Sequence, residues 1–225
     1  MTQASLTPHK VIAARMRQLR TGRGWSAQRL SEEMSKVGVP WDRSIVANLE
    51  YGRRRTVSVE EWLALAYVLA VPPPLLLLDL DAGTDVEIVS GVVLHPWLAW
   101  EWITGEHPPL VRAAGGGAYV TQAEEFSRAK TAINLYRREG KAARAINDAD
   151  SAIRSAEYVG DAGQLQAART AQVDALHELA KVLDQMIEHD MTPPGKPARW
   201  VEAIRSLGLS EHPDRLVVHG GEDGR

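Results

Sequence analysis

Apolar residues recur every three or four positions through the first third of the chain, and Gly or Pro cuts the recurrence into short blocks. Ile12, Met16 and Leu19 predict an amphipathic helix from Thr7-Pro8 to about Arg20, with Thr7 as cap and Pro8 at the first helical position. Arg15, Arg17 and Arg20 lie off that stripe, and Gly22 and Gly24 end it. Ser26 opens a second helix with Leu30, Met34 and Val37 as its apolar residues, and Gly38-Val39-Pro40 closes it, because Pro disfavours helix at the residue before it. Asp42 can cap a third helix that ends at Gly52, with Val46 and Leu49 on one face and Ile45 beside them. Ser58 and Glu61 have capping-box spacing and start a fourth helix, with Trp62, Leu65, Ala66 and Leu69 inward. Pro72-Pro73-Pro74 stops it, and Leu75 to Leu78 reads as a short fifth helix that seals the core.

The pattern then changes. Val86 to Leu94 (VEIVSGVVL) is rich in β-branched residues and reads as a strand paired across a dimer or as extended chain, since a lone strand needs a partner. Pro96 opens a short helix carrying Trp97, Trp100 and Trp102, a cluster that packs one domain on another or receives a protein partner. His107-Pro108-Pro109 and Gly115-Gly116-Gly117 mark a flexible boundary.

From Thr121 the chain turns Ala-rich with mixed charges. Phe126, Ala129, Ile133 and Tyr136 step in threes and fours; after Gly140 so do Ala142, Ile146, Ala149, Ile153 and Ala156. Beyond a turn at Asp161-Ala162-Gly163, Leu165, Ala168, Gln172, Leu176, Leu179, Leu183 and Met186 continue the pattern, predicting a coiled coil or helical hairpin. Trp200, Val201, Ile204 and Leu207 predict one last helix, and the chain from Ser210 reads as a disordered polar tail. The expected fold is all-α, with a helical domain over 1–80, a linker over 81–118 that holds the strand and the Trp helix, a long-helix dimerisation or interaction region over 119–207, and a tail over 208–225.

Net charge is −3, which by itself argues against a nucleic-acid binder. Its distribution argues the other way. Residues 1–80 hold 11 Lys and Arg against 7 Asp and Glu, while 81–225 hold 15 against 22. All 11 early basic residues lie between Lys10 and Arg55, which suggests a basic nucleic-acid head on an acidic body. On the third helix the apolar back faces away from Arg43, Ser44, Ala47 and Asn48, residues four apart that form the front. Arg can hold guanine O6 and N7 with two bonds, and Asn can do the same for adenine N6 and N7. Arg53-Arg54-Arg55 follow at the exit. A small basic surface helix is the plainer alternative.

These blocks resemble the Xre/Cro-like helix-turn-helix family over roughly residues 8–80. The resemblance rests on Leu30-Ser31-Glu32-Glu33-Met34 in helix two, Ile45-Val46-Ala47-Asn48-Leu49-Glu50-Tyr51-Gly52 in helix three and a Leu/Ala/Val-rich helix four. The departures are a longer turn between helices two and three, Ser35 to Trp41, similar to that of actinobacterial regulators, and Ala27 where the family often has a Gln. The resemblance implies a lambda-repressor-like five-helix domain that binds operator DNA, usually as a dimer, to control transcription. On this reading Arg43, Ser44, Ala47 and Asn48 face base edges. Arg53, Arg54 and Arg55, with Arg15, Arg20 and Lys36, contact phosphate and set position without reading sequence. Trp41 is an apolar probe or a packing residue, and Glu50 partners a nearby Arg.

Catalytic chemistry finds no foothold. The seven His are scattered, there is no Cys, Gly115-Gly116-Gly117 lacks the Lys-Ser/Thr of a phosphate-cradling loop, and no Gly-x-Ser-x-Gly occurs. The sequence is therefore read as a non-enzyme without cofactor or metal. No long apolar run or leader pattern appears, so no membrane partner is expected and the expected location is the cytoplasm, with the nucleoid. The expected partners are double-stranded DNA and a second copy joined through the C-terminal helices. The competing reading is an antitoxin-like or partner-regulated interaction protein whose DNA binding is autoregulatory, with Trp97, Trp100 and Trp102 docking the partner.

Overall fold

The computed structural model describes residues 6–112, 118–120 and 123–219. The chain divides into two compact units, Met1–Phe126 and Ser127–Arg225.

The first unit opens with five helices: α1 (Pro8–Gly22), α2 (Ala27–Lys36), α3 (Arg43–Glu50), α4 (Val59–Val68) and α5 (Pro74–Leu77). Their caps follow the sequence signals. The Ser26 hydroxyl accepts from Arg29 N–H, Asp42 accepts from Ile45 N–H, and Ser58 and Glu61 complete a reciprocal capping box. Met16, Leu30, Met34, Val46, Leu49, Leu65, Leu69 and Leu76 form the fully buried centre, with Trp41 against it. Two local expectations change. Thr7 occupies the N-cap position, but its hydroxyl meets His9 Nδ1 at 3.2 Å instead of capping. Val37 is exposed, because it is the C-cap residue, past the last inward turn of α2.

The stretch VEIVSGVVL is two strands. β1 (Val86–Val89) and β2 (Val92–Leu94) pair antiparallel, with Val86 opposite Leu94 and Glu87 opposite Val93. The reversal sits at Ser90-Gly91, where Gly91 has φ +80°, a conformation cheap only for glycine. The strand thus finds its partner within its own nine residues. Leu6 adds a parallel bridge to Val86, donating to Asp85 O at 3.2 Å and accepting from Glu87 N–H at 3.0 Å. After α6 (Pro96–Ile103), β3 (Leu110–Arg112) and β4 (Ala118–Val120) form a second antiparallel hairpin. The Gly115–Gly117 boundary between them lies outside the described residues. Val86, Leu94 and Ala99 share a core with Val11 of α1 and Leu78. The β1–β2 hairpin and α6 therefore pack with the first unit, and the fold is mostly helical, consistent with the expected all-α class, with two small hairpins beside the helices.

α7 (Ala123–Ala129) spans the division, and in the second unit α8 (Thr131–Val159) packs against α9 (Ala162–Glu188) as a helical hairpin. Ile146, Leu179, Val182, Leu183 and Met186 are fully buried along the seam. Gly140 does not interrupt α8, and the seam begins at Leu135, while Ile133 and Tyr136 are exposed. Gly160 turns the chain at φ +76°, and Asp161 caps α9 by accepting from Gly163 N–H and Gln164 N–H, each at 2.9 Å. α10 (Ala198–Ser206) buries Trp200, Val201 and Ile204, while Leu207, its C-cap, is exposed.

The expected tail is folded as far as His219. Asp184, buried in α9, accepts from the Ser210 hydroxyl at 2.6 Å and from Glu211 N–H at 2.8 Å. Leu216 is buried, and His219 N–H donates to Lys196 O at 2.8 Å. Residues 220–225 lie outside the described residues. Lys196 and Glu139 form a buried ion pair on the seam.

The acidic excess is not where a basic head on an acidic body would put it. Residues 127–219 hold 13 basic and 13 acidic residues, whereas 81–126 hold 7 acidic residues and one basic one. Among the described residues no helix is long and apolar enough to cross a membrane.

Candidate nucleic-acid interface

α3 is short, and its position is set from both ends and from behind. Behind it, Val46 and Leu49 are wholly buried, with Ile45 half-buried against the same core. At its start the Asp42 carboxylate accepts from the Ser44 hydroxyl at 2.6 Å and from Ile45 N–H at 2.9 Å. These bonds, the Ser44 one first, hold the Asp42 carboxyl below its ordinary range, so it stays charged beside the helix N-terminus. At the far end Gly52 has φ +69°, and the N–H groups of Arg53 and Arg54 both return to Asn48 O, at 2.9 and 3.0 Å.

The opposite face carries the four candidate base-reading residues. Arg43 and Ser44 are exposed, and Ala47 and Asn48 are half-buried. Ser44 spends its hydroxyl on Asp42, leaving its oxygen as an acceptor.

Glu61 ties the two ends of α3 together. Its carboxylate accepts from Arg54 at 2.7 and 2.8 Å, from the Trp41 indole N–H at 2.8 Å and from Ser58 N–H at 2.9 Å. The Arg54 guanidinium also lies over the Trp41 ring, 5.8 Å from its centroid. Burial pushes the Glu61 carboxyl up, but the bonds from Ser58, Arg54 and Trp41 outweigh it and hold the group below its ordinary value. Trp41 precedes α3 and Arg54 follows it, so one carboxylate on α4 links the long turn to the basic exit. Trp41 is accordingly a packing residue. Its spacing from Glu61 has no local signal, and this link is legible only in the folded chain.

The six candidate phosphate contacts separate into two groups. Arg20 donates to Glu50 at 2.8 and 3.1 Å and also to the Trp25 carbonyl, giving Glu50 the Arg partner expected of it. Arg15 is buried; it donates to Leu75 O at 3.3 Å, to Gln18 at 2.7 Å and to Asp79 at 3.4 Å. Arg54 is held by Glu61. These three cations are spent inside the fold, and moving them to phosphate would strand a carboxylate. This corrects the reading of Arg15 as lying off the buried stripe. Lys36 meets Glu33 at 2.9 Å in an exposed pair, which costs little to exchange. Arg53 is exposed above Tyr51, 5.7 Å from its ring centroid, and Arg55 is exposed.

Two further cations went unnamed as sequence candidates. Lys10 and Arg17 are exposed on α1, seven residues apart, and line a cleft of about 540 Å³ with Glu50, Tyr51 and Gly52 at the end of α3. Their spacing, off the Ile12/Met16/Leu19 stripe, was the available signal.

Comparison with protein-family models, with curated proteins and with solved structures gives no match for this chain.

Proposed function

We propose that this chain is a sequence-specific DNA-binding transcriptional regulator of the Xre/Cro-like helix-turn-helix kind, reading operator DNA in the major groove through α3. The observation that carries this is the two-sidedness of α3. Its apolar back is buried and both of its ends are tied down, while Arg43 projects into solvent next to Ser44, Ala47 and Asn48. A fixed helix with an exposed guanidinium and amide on one face suits base-edge recognition. Arg53 and Arg55, with Lys10, Arg17 and Lys36 around them, supply the phosphate contacts; Arg15, Arg20 and Arg54 position the helices instead. The regulator acts in the cytoplasm, at the nucleoid, as a homodimer joined through the C-terminal helices.

Fluorescence anisotropy of wild type and Arg43→Ala tests this, with the protein's own upstream DNA and a scrambled duplex at two salt concentrations. The expected outcome is a preference for upstream DNA that Arg43→Ala loses, at a cost of about 1–3 kcal/mol, while salt-sensitive residual binding survives. Absence of preference and of salt dependence in wild type would sink the proposal. The half-exposed Trp97 favours a second reading, in which a protein partner regulates the DNA binding.

A further inference from the structure

The region between the five helices and the second unit has an unusual charge record. From Asp79 to Pro109 there are six carboxylates and no Lys or Arg. Asp79 and Asp81 face Arg15 of α1, at 3.4 and 3.8 Å. Asp85 is exposed, Glu87 and Glu101 are half-buried, and no ion pair to these three occurs among the described residues. Such a region repels phosphate.

Apolar side chains stand among these carboxylates. The β1–β2 hairpin turns Val86 and Leu94 into the core and leaves Val89 and Val93 55% and 45% exposed. Val93 is directly opposite Glu87, so the two share the outward face. Trp97, on the first turn of α6, is 51% exposed, although Trp100 of the same helix packs against the core. α6 packs on both strands, and four residues of chain keep Trp97 within roughly 14 Å of Val93. A half-exposed Trp within roughly 14 Å of an exposed Val, on a stretch of chain with carboxylates and no Lys or Arg, is the composition of a docking surface rather than of a solvated face.

We propose that this surface of α6 and the β1–β2 hairpin docks a basic, amphipathic segment of another protein. The partner's apolar residues cover Trp97 and Val93, and its Lys or Arg side chains pair with Asp85, Glu87 and Glu101. Charge complementarity selects this partner: the chain from Asp79 to Pro109 offers carboxylates and no Lys or Arg, and Trp faces attract guanidinium and ammonium groups. The proposal is independent of the DNA-reading assignment for α3.

The test uses the full-length protein and two labelled synthetic helical peptides, one of Lys and Leu in amphipathic order and its Glu/Leu twin. The Lys/Leu peptide should bind wild type, weaken as salt rises, and bind at least tenfold more weakly to Trp97→Ala and to the Asp85→Lys/Glu101→Lys double variant. The Glu/Leu twin should not bind. Thermal melts matching wild type establish that both variants are folded, and the two variants probe separate parts of the surface. Equal binding to wild type and both variants overturns the proposal, as does failure of the Lys/Leu peptide to bind. Sedimentation covers the remaining occupant: if Trp97→Ala abolishes self-association and the peptide does not bind wild type, the surface belongs to a second copy and the proposal is wrong.

Discussion

Arg54 and Arg55 are neighbours with opposite roles. Arg54 is folded back onto Glu61 and the Trp41 ring, while Arg55 is exposed. Arg55→Ala should weaken all DNA sequences alike and lower the salt slope by about 1, as measured by binding titrations across salt. Arg54→Ala should instead lower the melting temperature and leave the salt slope nearly unchanged. Glu61 makes a sharper case. Its charged form accepts several bonds, so Glu61→Gln should cost about 1–3 kcal/mol at neutral pH. Its folded pKa lies below the ordinary 4.5, so its contribution is fully present above that value and is lost as pH falls through the lower folded one. The melting difference between wild type and Glu61→Gln should therefore shrink below about pH 4.5.

Among the elements, the α8–α9 hairpin shows how a helical repeat can be read correctly and still be misregistered. The repeat of threes and fours places a seam, but Ile133 and Tyr136 fit it as well as Leu135 does. Packing chose Leu135 and then placed Glu139 on the same buried row, where a carboxylate needs a cation. Lys196 supplies that cation from beyond α9, and the same residue accepts His219 N–H through its carbonyl. Lys196→Met should cost about 3–5 kcal/mol by leaving Glu139 buried and unpaired, and Lys196→Met/Glu139→Leu should recover most of that loss, as denaturant melts of wild type and the two variants would show. A double variant no more stable than the single one would mean that the pair is better than an apolar substitute.

For the whole molecule, the proposed two-fold dimer carries a geometric consequence. Its operator should be a palindrome with half-sites about 34 Å apart, or a multiple of that spacing, which footprinting combined with sedimentation of the free protein would establish. A monomer in sedimentation with a single, asymmetric footprint would remove the dimer from the proposal. The α8–α9 seam is already filled within one chain, so a dimer formed through these helices must use their outer faces.

The sequence by itself determined the helices of the first unit and the hairpin of the second. Each is specified by signals a few residues apart: Ser26, Asp42 and the Ser58–Glu61 pair as caps, Gly52 and Gly160 as turns, and apolar residues at helical period. The exposed face of α3 was legible for the same reason, since an apolar back settles which residues are in front. Only the tertiary structure decided which arginines are free. Arg15 with Asp79, Arg20 with Glu50 and Lys196 with Glu139 join residues 64, 30 and 57 positions apart, and no local periodicity reports such partners. The same holds for VEIVSGVVL, whose Ser-Gly centre was a turn signal that composition masked, and for residues 210–219, whose polar sequence hides a fold held by the buried carboxylate of Asp184. Local order is set by neighbours in sequence; which charges are spent and which remain for a ligand is set by neighbours in space.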